Sequence, residues 1–283
     1  MGTLQESVHI IPLGHEYDRA VAPFNKYSVD RVYLLSITKN TGKYEDVMVS
    51  RQVHFTNKVI AYFENERKIK PIVLEVELFD LFEVMKQISA IIKDEQAKGN
   101  KVQINISACG RKTSIGAALA GMAHGADVYY VSAETYSLDY DTFEEHGLSI
   151  CEKGGTFRFE NFEFDLPDDV SQKILVKLYQ EKVYYENENV RSTDLRDYLH
   201  HEKVEGFETN LEDVGKAAKN ILNSDGNLVD KRAESIRQNI KLEKKYLGPL
   251  EASGYIERKR SGRNNIISIT ESGKYVACIV GKL

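Results

Sequence analysis

Short apolar runs alternate with helical patterns along the first 135 residues, and this alternation constrains the fold more than any other feature. The runs span residues 8–13, 31–38, 71–78, 102–107 and 127–131. From 78 to 92, apolar residues recur every three or four positions, which predicts a helix with one wide apolar face. Strands that are almost continuously apolar are typical of a parallel sheet covered on both faces. Residues 1–136 are therefore predicted to form an α/β domain of βαβ units.

The pattern changes twice after residue 136. Residues 156–164 alternate with period two, which predicts a small β-hairpin or an edge strand. Pro167 then marks a break, so residues 137–169 are interpreted as this appendage and a linker. Residues 170–283 are predicted to be a second domain. Its predicted helices span 170–186, 192–201, 210–223 and 231–253, and two short strands follow at 255–259 and 265–270.

Charge is distributed unevenly between these parts. The 283 residues carry a net charge of −5, with 18 Lys and Arg against 26 Asp and Glu in residues 1–170, and 20 against 17 in the remainder. The segment 231–263 is the most basic, with ten cations and four carboxylates. This distribution indicates that only the C-terminal region meets a phosphate backbone. A solvated basic face is the alternative.

Composition disfavours several classes of protein. The apolar runs are too short to cross a bilayer, and the N-terminus has no cationic segment ahead of an apolar one. The three cysteines (Cys109, Cys151 and Cys278) lack CxxC spacing, and the seven histidines show no metal-binding spacing. We therefore expect a cytoplasmic protein with no membrane segment and no metal site.

The segment 10–19 contains the first candidate ligand-binding residues. In an open parallel sheet, ligands bind beyond the carboxyl ends of the strands. Gly14 permits a tight turn at the end of the first strand, and His15 and Asp18 follow it. The amides that open the next helix can face an anion. An ordinary turn between a strand and a helix is the alternative.

The segment 105–113 is the second candidate, and a helix of small residues follows it. A buried strand ends there in small and polar residues, followed by Gly110, Arg111, Lys112 and Thr113. Unpaired helix amides and two adjacent cations suit a phosphate group. The segment has neither a Walker spacing nor a GxGxxG motif, so no dinucleotide cofactor is expected. The alternative is that both cations are only surface residues at a helix start.

The C-terminal segment has the order of a winged helix-turn-helix. Its leading helix is rich in cations, and Ile236, Ile240, Leu247 and Leu250 are predicted to form its apolar stripe. Leu-x-x-x-Gly-Tyr-Ile, a basic hairpin tip and Ile-Thr-x-x-Gly follow. In such a domain the helix enters the major groove and the tip contacts phosphates. The residues predicted to contact DNA are Lys231, Arg232, Arg237, Lys241, Arg258, Lys259, Arg260 and Arg263. Some winged helices bind only protein, so a dimeric adaptor is the alternative.

With both halves in view, the chain resembles the CRISPR-associated Rossmann fold (CARF) family, specifically its members fused to a winged helix. Residues 9–19 and 104–112 carry the resemblance. It implies a Rossmann-like parallel-sheet sensor domain and a homodimer that binds a cyclic oligoadenylate, with cyclic tetra-adenylate favoured, across its two-fold axis. The residues that would line this site are Leu13, Gly14, His15, Asp18, Ser107, Ala108, Cys109, Gly110, Arg111, Lys112, Thr113 and Tyr136, with Tyr136 stacking on a base.

The resemblance implies a transcriptional regulator of CRISPR-related genes in antiviral defence, and two enzymatic interpretations stay open beside it. Some CARF proteins cleave their ring ligand, and here Lys112 would stabilise the charge on the phosphate. Arg196 and His201 also have the R-x4-H spacing of certain metal-independent RNA nucleases. Residues 192–199 are better explained as a capped helix that precedes a recognition helix.

Overall fold

The chain divides into two compact units, residues 1–165 and 166–281. The computed structural model describes residues 5–39, 41–153, 155–161, 164–188, 190–209, 211, 219–222, 228–261 and 264–281. No helix in these ranges is long and apolar enough to cross a membrane. We call the first unit the sensor unit and the second the winged helix unit, and each is built around its own buried residues.

The sensor unit alternates strands and helices, as the sequence predicts. Its elements are β1 (Ser7–Pro12), α1 (Asp18–Val21), β2 (Arg31–Ser36), α2 (Asp46–Tyr62), β3 (Ile72–Glu75), α3 (Leu81–Ala97), β4 (Lys101–Asn105), α4 (Arg111–Ala123), β5 (Asp127–Val131), β6 (Thr135–Tyr136), α5 (Tyr140–His146), β7 (Ser149–Ile150) and β8 (Thr156–Arg158). A 3-10 turn (Ala22–Asn25) follows α1, and a π-helical turn (Phe63–Arg67) extends α2.

The main sheet has the strand order β3-β2-β1-β4-β5-β8. Strands β1 to β5 are parallel, and β8 joins as an antiparallel edge strand. The strand order reverses between β1 and β4, so the switch point of the sheet lies between these two strands. Open α/β sheets bind ligands beyond the carboxyl ends of the strands at such a point. The Rossmann-like fold predicted from the alternating pattern is thereby confirmed.

Helices cover both faces of this sheet. Ile10 and Ile11 are neighbours in β1, and they belong to separate buried clusters because successive strand residues point to opposite faces. Helix α4 lies especially close to the sheet. A Cβ atom on Gly121 would stand 2.6 Å from the side chains of Ile104 and Val128. The small residues of α4 therefore serve close packing of the helix on the sheet.

The segment after β5 is an appendage to the sheet. Strands β6 and β7 pair antiparallel around the short helix α5, which the sequence analysis did not predict. The period-two segment contributes the edge strand β8, which is three residues long. The predicted edge strand thus forms at residues 156–158, while residues 162 and 163 of the period-two segment lie outside the described residues.

The winged helix unit contains helices α6 (Asp169–Tyr184), α7 (Ser192–His201), α8 (Lys231–Lys241), α9 (Gly248–Ala252) and α10 (Glu271–Val280). Its strands are β9 (Val190–Arg191), β10 (Asn220–Leu222), β11 (Leu228–Asp230), β12 (Ile256–Ser261) and β13 (Asn264–Ile269). A π-helical turn (Leu242–Leu247) joins α8 to α9. Strands β12 and β13 form the predicted hairpin, and β9 pairs with β13.

Two predictions about this unit are wrong. Residues 220–222 of the helix predicted at 210–223 form strand β10, which pairs with β11, while 210, 212–218 and 223 lie outside the described residues. The apolar stripe is wrong at Ile236 and Ile240, which are each 50% exposed, although Leu247 and Leu250 are buried. Helix α8 instead buries Glu234 and Gln238.

The buried face of α8 can be polar because its polar groups find partners there. The side-chain amide of Gln238 donates to the Thr209 carbonyl at 3.1 Å and to Glu234 at 3.2 Å. Arg237 donates to the same carboxylate from the edge of the helix. Burying a polar side chain costs little folding free energy when it is hydrogen-bonded. The hydrophobic pattern of the sequence therefore did not reveal which face of α8 is buried.

Candidate functional site

Two neighbouring clefts open at the carboxyl ends of β1 and β4, at the switch point of the sheet. The loops after these strands are tied together because the Gly14 amide donates to the Ala108 carbonyl at 2.6 Å. We call one the inner cleft, about 180 Å³, whose lining includes Gly14, His15, Gln52, Gly110 and Thr113. The outer cleft, about 680 Å³, is lined among others by Arg19, Ser107, Arg111, Tyr130 and Tyr136. Glu16, Cys109 and Leu148 line both.

The inner cleft is held in shape by Gln52 of α2. Its side-chain amide donates to the Leu13 carbonyl at 2.6 Å and to the Ser36 hydroxyl at 2.9 Å, which fixes the end of β1. His15 lies 3.3 Å from the Met48 carbonyl through Nε2. Burial lowers the pKa of His15, so the ring is neutral at pH 7. A neutral ring that donates from Nε2 offers Nδ1 as an acceptor to a ligand.

A buried ion pair, Glu16 with Arg19, forms part of the wall of the outer cleft. The two groups are 3.3 Å apart, and Ser149 donates to Glu16 from both its amide and its hydroxyl. Burial raises the pKa of Glu16 to about 7, against the opposing effects of Arg19 and Ser149. Arg19 stacks over the Tyr130 ring at 5.3 Å, and its Nε has no partner among the described residues. The sequence analysis named neither member of this pair as a ligand residue.

Helix α4 begins at the rim of both clefts. Gly110 is its N-cap and Arg111 its first residue, so the positive end of a 13-residue helix and a cation lie at one place. The first amides of a helix have no carbonyl partner within it and can bind an anion. Burial raises the pKa of the neighbouring Cys109 to about 12. That thiol therefore stays protonated at neutral pH and does not act as a nucleophile.

Four predicted ligand residues line neither cleft, and Thr113 of the inner cleft already has a hydrogen-bond partner. Leu13 and Ala108 are fully buried and contribute backbone groups. Asp18 accepts from the Cys151 amide at 2.9 Å and pairs with His146 at 3.0 Å. Thr113 donates its hydroxyl to the Leu78 carbonyl at 2.6 Å. Lys112 is exposed and is not part of the lining of either cleft.

The predicted DNA-contact residues also differ in their surroundings. Arg232, Lys259 and Arg260 are exposed and Lys231 is half-buried, whereas Arg263 lies outside the described residues. Arg237 pairs with Glu234 at 2.7 Å, and Lys241 donates to the Glu205 carbonyl at 2.6 Å. Arg258 pairs with both Glu243 and Glu251, and these carboxylates raise its pKa. Its charge is therefore already balanced within the unit.

The fold and the site define a Rossmann-like sensor unit followed by a winged helix unit. Residues 7–136 match the model of the HFX_2341-like N-terminal domain, and residues 170–281 match that of the DUF6293 C-terminal winged helix domain. The chain thus joins a Rossmann-like domain to a winged helix domain, as the sequence predicted. No curated protein matches it in sequence.

Several solved structures are remotely similar. Protein VC1899 from Vibrio cholerae has a TM-score of 0.38 and 10% identity, over 93% of this chain and 75% of that one. Csm6 from Enterococcus italicus, bound to cyclic hexa-2'-fluoro-hexa-dAMP, has a TM-score of 0.40 and 12% identity, over 72% and 54%. Can2 from Sulfobacillus thermosulfidooxidans, in complex with cyclic tetra-adenylate, has a TM-score of 0.36 and 14% identity, over 93% and 73%.

Proposed function

We propose that this protein is a homodimeric DNA-binding regulator controlled by a cyclic oligoadenylate, with cyclic tetra-adenylate as the first candidate. The observation that carries the proposal is the pair of clefts at the switch point, where Arg111 and the N-terminus of α4 meet. A ring of phosphates and adenines needs cations and amides for its anionic groups and flat side chains for its bases. Tyr136, 62% exposed in the lining of the outer cleft, supplies such a side chain.

The size of the site agrees with a nucleotide ligand. The outer cleft falls within the roughly 300–1,000 Å³ of small-molecule sites, and the inner cleft adds to it. Each copy of the chain contributes one set of clefts, and the ring lies on the two-fold axis between two copies. The ligand then alters DNA binding only if it has unequal affinity for two arrangements of the winged helices.

The first test is ligand binding by calorimetry. Arg111→Ala removes the cation at the start of α4, and we expect its affinity for cyclic tetra-adenylate to fall by about 10- to 100-fold, as for loss of a charge-assisted contact of about 1.5–3 kcal/mol. Lys70→Ala is the matched control, because this exposed lysine precedes β3 at the opposite edge of the sheet. Equal affinity of both variants for cyclic tri-, tetra- and hexa-adenylate would contradict the assignment of the site.

A further inference from the structure

A third polar cleft lies within the winged helix unit, where β9 ends and α7 begins. We call it the wing cleft; its volume is about 280 Å³. Arg191, Ser192 and Thr193 line it on one side, and Asn239 of α8 and Asn265 of β13 also contribute. Four elements of the winged helix unit, β9, α7, α8 and β13, thus meet at one polar depression, and none of these residues is among the predicted DNA contacts.

Two arginines give the wing cleft positive charge. Arg191 is exposed; its backbone amide donates to the Asp194 carboxylate at 2.9 Å, while its guanidinium forms no ion pair among the described residues. Arg196 is only 9% exposed, and its Nη1 donates to the Ser235 hydroxyl of α8 at 3.0 Å. The first two residues of the ten-residue helix α7, Ser192 and Thr193, add two hydroxyls at the positive end of its dipole.

One carboxylate, Glu243, also lines the wing cleft. Alone it would repel an anion, but Arg258 pairs with it from β12. The side-chain amides of Asn239 and Asn265, both exposed, can each donate two hydrogen bonds. The cleft therefore combines cations, hydroxyls and amides with a carboxylate whose charge is balanced, and this combination suits a phosphate group.

We propose that the wing cleft binds one backbone phosphate of duplex DNA. The inference rests on the proposed DNA-binding function and extends it to a site with named residues. Asn239 places the cleft beside the exposed face of α8, the helix that precedes the wing, and Asn265 places it beside the wing strand β13. In winged helices these two elements approach the major groove and the backbone. A phosphate held between them fixes the position of the helix along the duplex.

The experiment measures binding of the full chain to a labelled duplex of arbitrary sequence by fluorescence anisotropy, over salt concentrations from about 50 to 200 mM. Arg191→Ala is expected to weaken binding by about 3- to 10-fold and to reduce the slope of log K against log salt by about 0.9, the value for one phosphate contact. Lys173→Ala is the control. It removes an equal charge from α6, where Lys173 pairs with Glu202, and should leave the slope unchanged.

A second pair of variants removes a negative charge instead of a positive one, and is expected to strengthen duplex binding where the first pair weakens it or leaves it unchanged. Glu243→Gln removes the carboxylate from the wing cleft and should strengthen binding to the duplex by about 3- to 10-fold, because Arg258 then loses one of its two carboxylate partners and the net charge beside the phosphate becomes more positive. Glu202→Gln removes an equal charge from an exposed ion pair and should have a smaller effect. Both glutamines keep the shape of the side chain, so unchanged circular dichroism excludes unfolding as the cause.

Titration with inorganic phosphate distinguishes a DNA phosphate from a free one. One outcome that would overturn the proposal has two parts. The wild-type protein binds free phosphate tightly and Arg191→Ala does not, while the slope of log K against log salt for duplex binding is the same in both proteins. Equal slopes for wild type, Arg191→Ala and Lys173→Ala would also overturn it while leaving DNA binding intact. Wild-type protein that binds no duplex at any of these salt concentrations would refute the proposed function itself.

Discussion

The chemistry of Glu16 depends on its burial. This residue is 5% exposed and accepts two hydrogen bonds from Ser149, which lies 133 residues away in the chain. Neither its burial nor its partner is visible in the segment Gly-His-Glu-Tyr-Asp, because both depend on where β7 lies in the fold. The sequence therefore predicted the backbone of this loop better than the surroundings of Glu16, which lines both clefts.

The raised pKa of Glu16 makes the stability of the sensor unit depend on pH. The pKa is near 4.5 when the chain is unfolded and about 7 when it is folded, so between these values only the folded state holds the proton. Stability then falls as pH rises through this window, by up to about 3 kcal/mol. Glu16→Gln should remove this dependence, so that wild type loses more stability than the variant between pH 5 and pH 8.

Urea unfolding at the two pH values measures this difference. The exposed Glu64→Gln serves as control, since its carboxylate is solvated in both states. Parallel losses of stability in wild type and Glu16→Gln would show that Glu16 titrates as an ordinary carboxylate.

At the scale of elements, the packing of α4 on the sheet gives a sharp prediction. Gly121→Ala places a methyl group 2.6 Å from Ile104 and Val128, and we expect a loss of about 1–3 kcal/mol in the free energy of unfolding. In Gly155→Ala the added methyl group meets no atom within 4 Å, so the free energy of unfolding should change by less than about 0.5 kcal/mol. Thermal unfolding of both variants tests the prediction, and similar melting temperatures would contradict the close packing of α4.

Helix α8 offers a second comparison at this scale. Ile240 is half exposed and Leu242, two residues later, is fully buried. Leu242→Ala is therefore expected to cost about 2–5 kcal/mol, whereas Ile240→Ala should cost less than about 1 kcal/mol. Denaturant unfolding measures both values. A larger loss for Ile240→Ala would show that the apolar stripe predicted from the sequence is correct after all.

The elements that the sequence predicted best are those whose signal is local. The central strands of the main sheet are rich in apolar residues, so each appears as a short apolar run, and β5 matches its predicted bounds at 127–131. Helix α5 was missed because its seven residues bury no side chain and so leave no apolar period. Strand β10 was taken for helix because its three residues are defined by pairing with β11, which no short window of sequence reveals.

At the scale of the whole molecule, the account joins a ligand site in one unit to DNA binding in the other. The acidic residues lie mostly in the N-terminal 170 residues, and the basic segment 231–263 lies in the winged helix unit. Among the predicted contacts that the structure describes in this segment, Arg232, Lys259 and Arg260 are exposed and are the first candidates to meet a duplex. Regulation requires that binding in the sensor unit changes the affinity of this surface, which is a coupling free energy between two sites.

The affinity of the full chain for its own promoter DNA, measured with and without saturating cyclic tetra-adenylate, tests this coupling most directly. We expect the ligand to change the dissociation constant by about 5- to 150-fold in wild type and to have no effect in Arg111→Ala, whose affinity without ligand equals that of wild type. The same dissociation constant with and without ligand, in a protein that calorimetry shows to be saturated, would contradict the account.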